Sequence, residues 1–285
     1  MKNILIATDS TSTFTIEEAK EKGIALLSLS VIVDGNEFKD LVEISAQEVY
    51  EQDKKGCDLT TSQPNLGYLL DEMKEWKEKN YDHIIVITLS NTFSGTFQAV
   101  RMMASELEMD NVTIVDSLLV GSPMKEACLQ ALEMVQEGKS VEEIVDNCTR
   151  IFTETTTFVM PLTLDNLRKG GRITGATAAM SSLLRIKPLL YFEDQNGVIE
   201  KHSVHRTESS VFKTIIKEYK EKGVQKETHK LNLLHAQGKD IIDRFVVVIE
   251  EEFPGIEYEI LDLPAVLTTH TGVGTFAIQS ILKRN

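Results

Sequence analysis

The repeated order of strand, polar turn and helix in the first half of the chain limits the fold more than any other sequence feature. Residues 2–8 form a short β-rich apolar run, residues 9–12 a polar turn, and residues 16–22 a helical pattern. The same order returns over residues 83–107. Because strands that alternate with helices build right-handed β-α-β units, roughly the first 150 residues are predicted to form a parallel sheet with helices on both faces. The polar turns then share one sheet edge.

Local signals place the other elements of this half. Ser45 begins one helix with a capping box, and Asn65 caps the next amphipathic helix. Residues 24–33 are predicted to be a single strand. Residues 60–64 are predicted to be a loop, because the residue before a proline avoids helical geometry.

The second half has a different pattern. Asn196-Gly197 between alternating segments is a strong hairpin signal, which requires antiparallel pairing. Further strands are predicted at residues 157–160, 231–235 and 257–261, and residues 272–277 are predicted to be a tight turn into a C-terminal helix. The fold class is therefore α/β with two domains: a parallel domain over residues 1–154 and a mixed α/β domain over residues 155–285.

Composition excludes several function classes. Asp and Glu number 44 against 30 Lys and Arg, and the net charge of −14 opposes sequence-independent binding to nucleic acid or anionic lipid. No apolar run approaches the roughly 18 residues of a membrane span, and the N-terminal apolar run is too short for a signal peptide. We therefore expect a cytoplasmic protein with no nucleic acid partner and no integral membrane segment. Three separated cysteines predict free thiols.

Three turns rich in hydroxyl groups are candidate ligand sites. The turn that contains Thr92, Ser94 and Gly95 follows a strand and enters a helix, where free backbone N–H groups and the helix dipole favour an anion. The turns at residues 9–13 and 60–62 are predicted to lie at the same sheet edge, the usual ligand site of open α/β sheets. A carboxylate or phosphate fits this chemistry, whereas helix capping alone explains each turn taken singly.

Hydrolase, nucleotide-binding and metal-binding functions have weaker support in the sequence. A serine-dependent esterase or lipid hydrolase using Ser94, with His270 as base, is the alternative function, but the G-x-S-x-G elbow and an orienting acid are missing. No P-loop is present, and the glycine pattern at residues 272–277 leaves no room for a dinucleotide-binding unit. His202 and His205 are predicted on opposite faces of a strand without a third ligand. We expect no metal and no cofactor.

The ordered set of motifs in this chain resembles the DegV family over nearly its whole length. The motifs are Asp9-Ser10, Thr61-Ser62-Gln63-Pro64, Ser94-Gly95-Thr96 with Gln98, Arg168-Lys169-Gly170-Gly171-Arg172-Ile173, Arg206-Thr207, and His270-Thr271-Gly272 with Gly274. The resemblance implies two α/β domains with a ligand between them. It also implies a fatty-acid-binding subunit of bacterial fatty acid kinase, active in phospholipid synthesis. Such a subunit is a carrier, not an enzyme, and presents its long-chain fatty acid to a separate ATP-dependent kinase for conversion to acyl phosphate.

The resemblance assigns roles to individual residues. Thr61, Ser94 and His270 match the positions around the fatty acid carboxylate, with Ser62 nearby. Arg172 and Arg206 match basic positions linked to kinase docking or phosphotransfer.

Two residues beside His270 depart from the family pattern. Val273 stands where many relatives have proline, and Thr269 where a small residue is frequent. An acyl chain also needs an apolar tunnel, for which the sequence offers aliphatic residues that are more often plain core: Met102, Met103, Leu183, Leu184 and Ile186.

Overall fold

The computed structural model describes residues 3–173, 175–179, 186–192 and 196–284. The strands of these residues are β1 (Ile4–Asp9), β2 (Ala25–Leu27), β3 (Ser30–Val33), β4 (Asn36–Lys39), β5 (Leu59–Ser62), β6 (His83–Thr88), β7 (Val112–Asp116), β8 (Thr156–Met160), β9 (Lys187–Phe192), β10 (Ile199–His205), β11 (His229–His235), β12 (Glu257–Asp262) and β13 (Phe276–Leu282). The helices are α1 (Ile16–Lys22), α2 (Ala46–Lys55), α3 (Leu66–Glu78), α4 (Thr96–Glu106), α5 (Ser122–Gln136), α6 (Val141–Glu154), α7 (Asp165–Lys169), α8 (Gly175–Ala179), α9 (Glu208–Glu221), α10 (Lys239–Glu252) and α11 (Ala265–Thr271). A short 3-10 helix, Ser10–Ser12, follows β1.

The first half contains the predicted parallel sheet. Its strand order is β2-β1-β6-β7, and all three pairings are parallel. Helices α3 and α4 pack on one face, where Trp76 and Val100 are buried, and α5 and α6 cover the other, where Met124 and Ile144 are buried. The capping box at Ser45 and the Asn65 cap are both present. The carboxyl ends of the four strands share one edge, as predicted.

The second half contains a mixed six-stranded sheet in the order β10-β9-β8-β13-β11-β12. Its pairings are antiparallel except for β11 with β12, and the Asn196-Gly197 turn lies between the antiparallel strands β9 and β10. Helices α9 and α10 bury Phe212 and Phe245 against one face. All six strands follow residue 155, which supports a proposed division after Glu154, although α11 contacts α2, β3 and β5 from the first half.

The prediction of one strand over residues 24–33 was wrong. These residues form β2 in the parallel sheet and β3 in a separate antiparallel sheet of order β4-β3-β5. Asp34 and Gly35 have φ values of 48° and 83°, the left-handed conformation that a tight two-residue hairpin turn requires. The Asp-Gly pair therefore marks a hairpin and not a strand end. Residues 60–62, predicted to be part of a loop, belong instead to β5, the third strand of this sheet.

The predicted C-terminal helix was also wrong. Residues 276–282 are β13, the strand between β8 and β11, and every residue of it is buried. A strand buried on both faces lacks the alternation of polar and apolar residues that distinguishes a strand from a buried helix. The helix in this region, α11, comes before the glycine turn and not after it.

Asp9 connects the carboxyl ends of β1 and β6. Its fully buried carboxylate accepts hydrogen bonds from the N–H of Leu89 at 2.7 Å, the N–H of Thr11 at 3.0 Å and the hydroxyl of Thr11 at 2.6 Å. Burial raises the pKa of this carboxyl to about 6 in spite of those donors. The edge of the parallel sheet therefore depends on one buried acceptor group.

Asp9→Ala is expected to lower the free energy of unfolding by about 3 kcal/mol or more, since each buried donor left without a partner costs about 1–3 kcal/mol. Urea denaturation measures this. Asp116→Ala is the matched control, because Asp116 ends β7 and accepts from the N–H groups of Asn91 and Leu118 but is only half-buried, so water can replace it. Equal losses in the two variants would contradict the role given to Asp9.

Candidate functional site

A cavity lies between the carboxyl edge of the parallel sheet and one face of the six-stranded sheet. Its empty volume, mouth included, is about 870 Å³. The apolar part of its wall consists of Leu29, Leu89, Phe93, Val120, Val159, Leu167, Phe192, Ile199, Leu234, Leu263, Val266, Leu267 and Ala277. The polar part consists of Thr61, Ser62, Gln63, Ser94, Thr157, Arg172, His270, Thr271 and Gln279, with Gly95 and Gly121. Apolar side chains thus form the larger part of the cavity wall, and nine polar side chains form most of the rest.

The polar groups gather mainly at the partly exposed end, around a contact between Thr61 and His270. Nε2 of His270, near the end of α11, lies 2.7 Å from Oγ1 of Thr61 in β5, although 209 positions separate them in sequence. Gly170, just after α7, permits this position, because a β-carbon there would overlap Nδ1 of His270. The fold thus brings together an imidazole from helix α11 and a hydroxyl from strand β5.

Burial and the nearby Arg172 lower the pKa of His270 to about 4. The imidazole is therefore neutral at neutral pH and has one donor nitrogen and one acceptor nitrogen. It can donate one hydrogen bond, but it does not supply a positive charge.

Arg172 supplies the positive charge at this end. Its guanidinium donates to the carbonyl of Phe93 from Nε at 3.1 Å and from Nη2 at 2.9 Å, and to the carbonyl of Gly170. Burial lowers the pKa of this group, and no carboxylate among the described residues forms an ion pair with it. A half-buried cation with carbonyl partners alone is electrostatically suited to an anionic ligand.

Ser94 and Gly95 form the opposite side of the mouth. Oγ of Ser94 accepts from the N–H of Thr96 at 3.3 Å and lies 2.8 Å from the hydroxyl of Thr96. A β-carbon at Gly95 would overlap Oε1 of Gln63, so the Gln63 side chain lies directly against the backbone of this turn and would have to move for any larger residue.

The structure brings most of the predicted site residues together. Thr61, Ser62, Ser94, Gly95 and His270 line the cavity, and so does Arg172, which had been assigned to partner docking.

Two predicted residues lie elsewhere. Thr92 is not part of the wall; its hydroxyl donates to the carbonyl of Gly197 and lies 2.9 Å from that of Ser90. Arg206 is exposed, two residues before α9. The docking role of both arginines stays a prediction.

Sequence reasoning missed the apolar wall and the polar pair Thr157 and Gln279. Of the aliphatic residues suggested for a tunnel, Met102 is 48 % exposed, and neither Met103 nor Ile186 is in the wall. Leu183 and Leu184 lie outside the described residues. The wall comes from separate turns and strands, so no local periodicity marks it.

The two histidines of β10 are not on opposite faces as predicted. The pairing of β10 with β9 shifts between Lys201 and Ser203, and both His202 and His205 contact the hydroxyl of Ser203, at 3.0 and 2.7 Å. A bulge changes the alternation of a strand, which explains the difference. In the described part of the chain, no three His, Cys, Asp or Glu side chains are grouped as metal ligands.

No helix within the described ranges has both the length and the apolar character needed to cross a bilayer.

The sequence and the architecture of this chain match those of known proteins. A family model described as "Uncharacterised protein, DegV family" matches residues 3–283. A DegV domain-containing protein of Listeria monocytogenes is 32% identical over 279 residues, 97% of this chain and 98% of its own. A DegV family protein from Thermus thermophilus, described for its fatty acid binding, has a TM-score of 0.89 at 27% identity, covering 99% of this chain and 100% of its own. DegV from Bacillus subtilis, described as a fatty acid binding protein, has a TM-score of 0.85 at 28% identity with the same coverage.

The imidazole of His270 in the ligand-free protein is expected to titrate at about 4, well below the usual 6.5. Because the unfolded chain takes up this proton at higher pH, His270 lowers the free energy of unfolding as pH falls from about 6.5 to about 4. An NMR titration of the ring nitrogens measures the pKa, and His270→Gln assigns the signal. A transition near 6.5 would contradict the buried, neutral imidazole.

Proposed function

We propose, since this chain belongs to the DegV family, that its cavity binds a long-chain fatty acid and presents the carboxylate to a separate ATP-dependent kinase for conversion to acyl phosphate. The observation that carries the proposal is the uneven lining of the cavity. Hydroxyls, a neutral imidazole and a guanidinium surround the partly exposed end, and apolar side chains form most of the rest. That distribution matches a molecule with one anionic end and a long hydrocarbon chain. The Thermus and Bacillus proteins described above are fatty-acid-binding proteins.

The head group needs donors, because a carboxylate only accepts hydrogen bonds. When Nε2 of His270 donates to Thr61, the Thr61 hydroxyl keeps its own hydrogen for the ligand. In the same way Ser94 can accept from the Thr96 hydroxyl and donate to the carboxylate. Arg172 adds the positive charge, which strengthens these bonds.

The hydrocarbon chain supplies most of the affinity. Each buried methylene contributes about 0.8 kcal/mol, so about 15 methylenes contribute on the order of 12 kcal/mol before the costs of association. The apolar wall fits such a chain from both sides: Leu29, Leu89 and Val120 at the edge of the parallel sheet face Val159 and Ala277 of the six-stranded sheet.

The proposed carrier role is supported by the absence of a P-loop from the sequence and by the proposed position of the head group at the mouth. Acyl phosphate formation requires ATP, metal and cationic groups around the transferring phosphoryl group, and the sequence has no P-loop to supply them. A kinase partner therefore provides that machinery. The exposed Arg206 is a candidate for electrostatic docking, which should weaken as salt rises.

The hydrolase alternative gains no support from this geometry. The imidazole of His270 is bonded to Thr61 and not to Ser94, and its pKa of about 4 makes it a weak base at neutral pH. The hydroxyl of Ser94 contacts the hydroxyl of Thr96 at 2.8 Å.

Protein purified from bacteria is expected to release a fatty acid on denaturation, detectable by mass spectrometry. Ser94→Ala is expected to weaken fatty acid binding roughly tenfold, since the hydrocarbon chain supplies most of the affinity and one hydrogen bond to a charged acceptor contributes about 1.5 kcal/mol at the lower end of its usual range. Ser105→Ala, an exposed serine of α4, is the matched control. No bound acyl chain, together with ester turnover lost in Ser94→Ala, would instead favour the hydrolase.

The two arginines are expected to have different roles, Arg172 in fatty acid binding and Arg206 in the reaction with the kinase. Arg172→Ala removes the cation of the mouth and should weaken fatty acid binding about 10- to 100-fold, the loss of a charged hydrogen bond. Arg206→Ala should leave binding unchanged and lower acyl phosphate formation with a cognate kinase, measured at saturating fatty acid. Arg101→Ala, exposed on α4, serves as the control. Loss of binding in Arg206→Ala, or unchanged binding in Arg172→Ala, would contradict this assignment.

A further inference from the structure

The buried end of the cavity is closed by an amide side chain. Gln279 lies in β13 and is 2 % exposed, and its hydrogen-bonding groups connect three elements. Oε1 accepts from the N–H of Ser122 at the start of α5 at 3.0 Å, while Nε2 donates to the carbonyl of Val120 at 2.8 Å and to the hydroxyl of Thr157 in β8 at 3.0 Å. The amide is therefore fixed in one position across the cavity.

The opposite wall meets Gln279 closely. A β-carbon at Gly121, whose φ is +84°, would lie 2.9 Å from Oε1 of Gln279. The turn before α5 and the side chain from β13 thus leave no space for an acyl chain between them.

The direction of the cavity follows from α11 and β13. His270 lies at the mouth, and Val266, one helical turn earlier on the same face, is 2 % exposed and belongs to the apolar core of the first half. Along β13, Ala277 and Gln279 face the cavity, and the next residue on that face, Ile281, is fully buried in the same core as Val266. The cavity therefore runs inward from His270 and ends at Gln279.

We propose that Gln279 sets the longest acyl chain that this protein accepts, by closing the inner end of the cavity. The inference rests on the proposed fatty acid binding and adds a specificity-determining residue to it. The terminal methyl of the chain contacts the side of an amide whose donors are all used by the protein, so the contact leaves no donor of that amide unpaired. Ala277, one step nearer the mouth, is small and leaves room for the chain.

The experiment measures dissociation constants for a homologous series of saturated straight-chain fatty acids with the delipidated full-length protein. For the parent, affinity should rise about fourfold per methylene, the equivalent of about 0.8 kcal/mol, until the chain reaches Gln279, and then stop rising or fall. Gln279→Ala should move this limit to longer chains. Ala277→Leu should move it to shorter chains.

Two further readouts keep the test decisive. Gln279→Ala leaves the Ser122 N–H without its acceptor, so its thermal stability is measured beside that of Gln279→Met, which keeps the length of the side chain without the amide. Gln279→Met should lose stability while it keeps the parent's length limit. An unchanged chain-length limit in both Ala277→Leu and Gln279→Ala would overturn the inference about Gln279. It would leave the proposed fatty acid binding in place. Failure of the parent to bind any member of the series would overturn the proposed function itself.

Discussion

The burial of α11 between elements of both halves is the constraint on which the site depends. Ala265, Val266, Thr268 and Thr269 of this helix are buried, and threonine hydroxyls are costly to bury without partners. They meet that requirement within their own segment: Thr269 and Thr271 donate to the carbonyls of Ala265 and Leu267, four residues earlier, and Thr268 donates to that of Leu263. The helix can therefore enter an apolar region and still place His270 at its end. The hydroxyl of Thr269 beside His270 is accommodated in this way.

The site concentrates positive potential in an acidic protein without exposing a free cation. The net charge of −14 repels anions in general, so an anionic ligand needs a local positive charge to attract it to the cavity. Arg172 provides one, because the carbonyls of Phe93 and Gly170 hold its guanidinium without neutralising it. Burial and this charge together keep the pKa of His270 low, so that the imidazole contributes one hydrogen-bond donor and no second charge.

The sequence was sufficient for features that depend on neighbouring residues and insufficient for those that depend on distant ones. The β-α-β order and the caps at Ser45 and Asn65 are local, and the structure contains them. The place of Arg172 in the wall depends on a carbonyl 79 positions away. Gln279 was not predicted as a cavity residue, because a strand that is buried throughout has the same apolar pattern as a buried helix. Thr61, Ser94 and His270 were found through hydroxyl-rich turns and the ordered motifs, while the apolar wall had no sequence signal.

Solvation determines the orientation of an acyl chain in the proposed complex. Burying an ionised carboxylate at the inner end would cost several kcal/mol, because the N–H groups of the Gln279 amide are already bonded to Val120 and Thr157. The mouth offers Thr61, Ser94 and Arg172, all only partly buried, so the head group belongs there and the hydrocarbon chain inside. A carboxylate held at the mouth keeps one oxygen within reach of another protein while its chain stays out of water. In the proposed function, the geometry that would bind the ligand therefore also leaves its reactive atom accessible, and the proposed phosphorylation by a partner requires that accessibility.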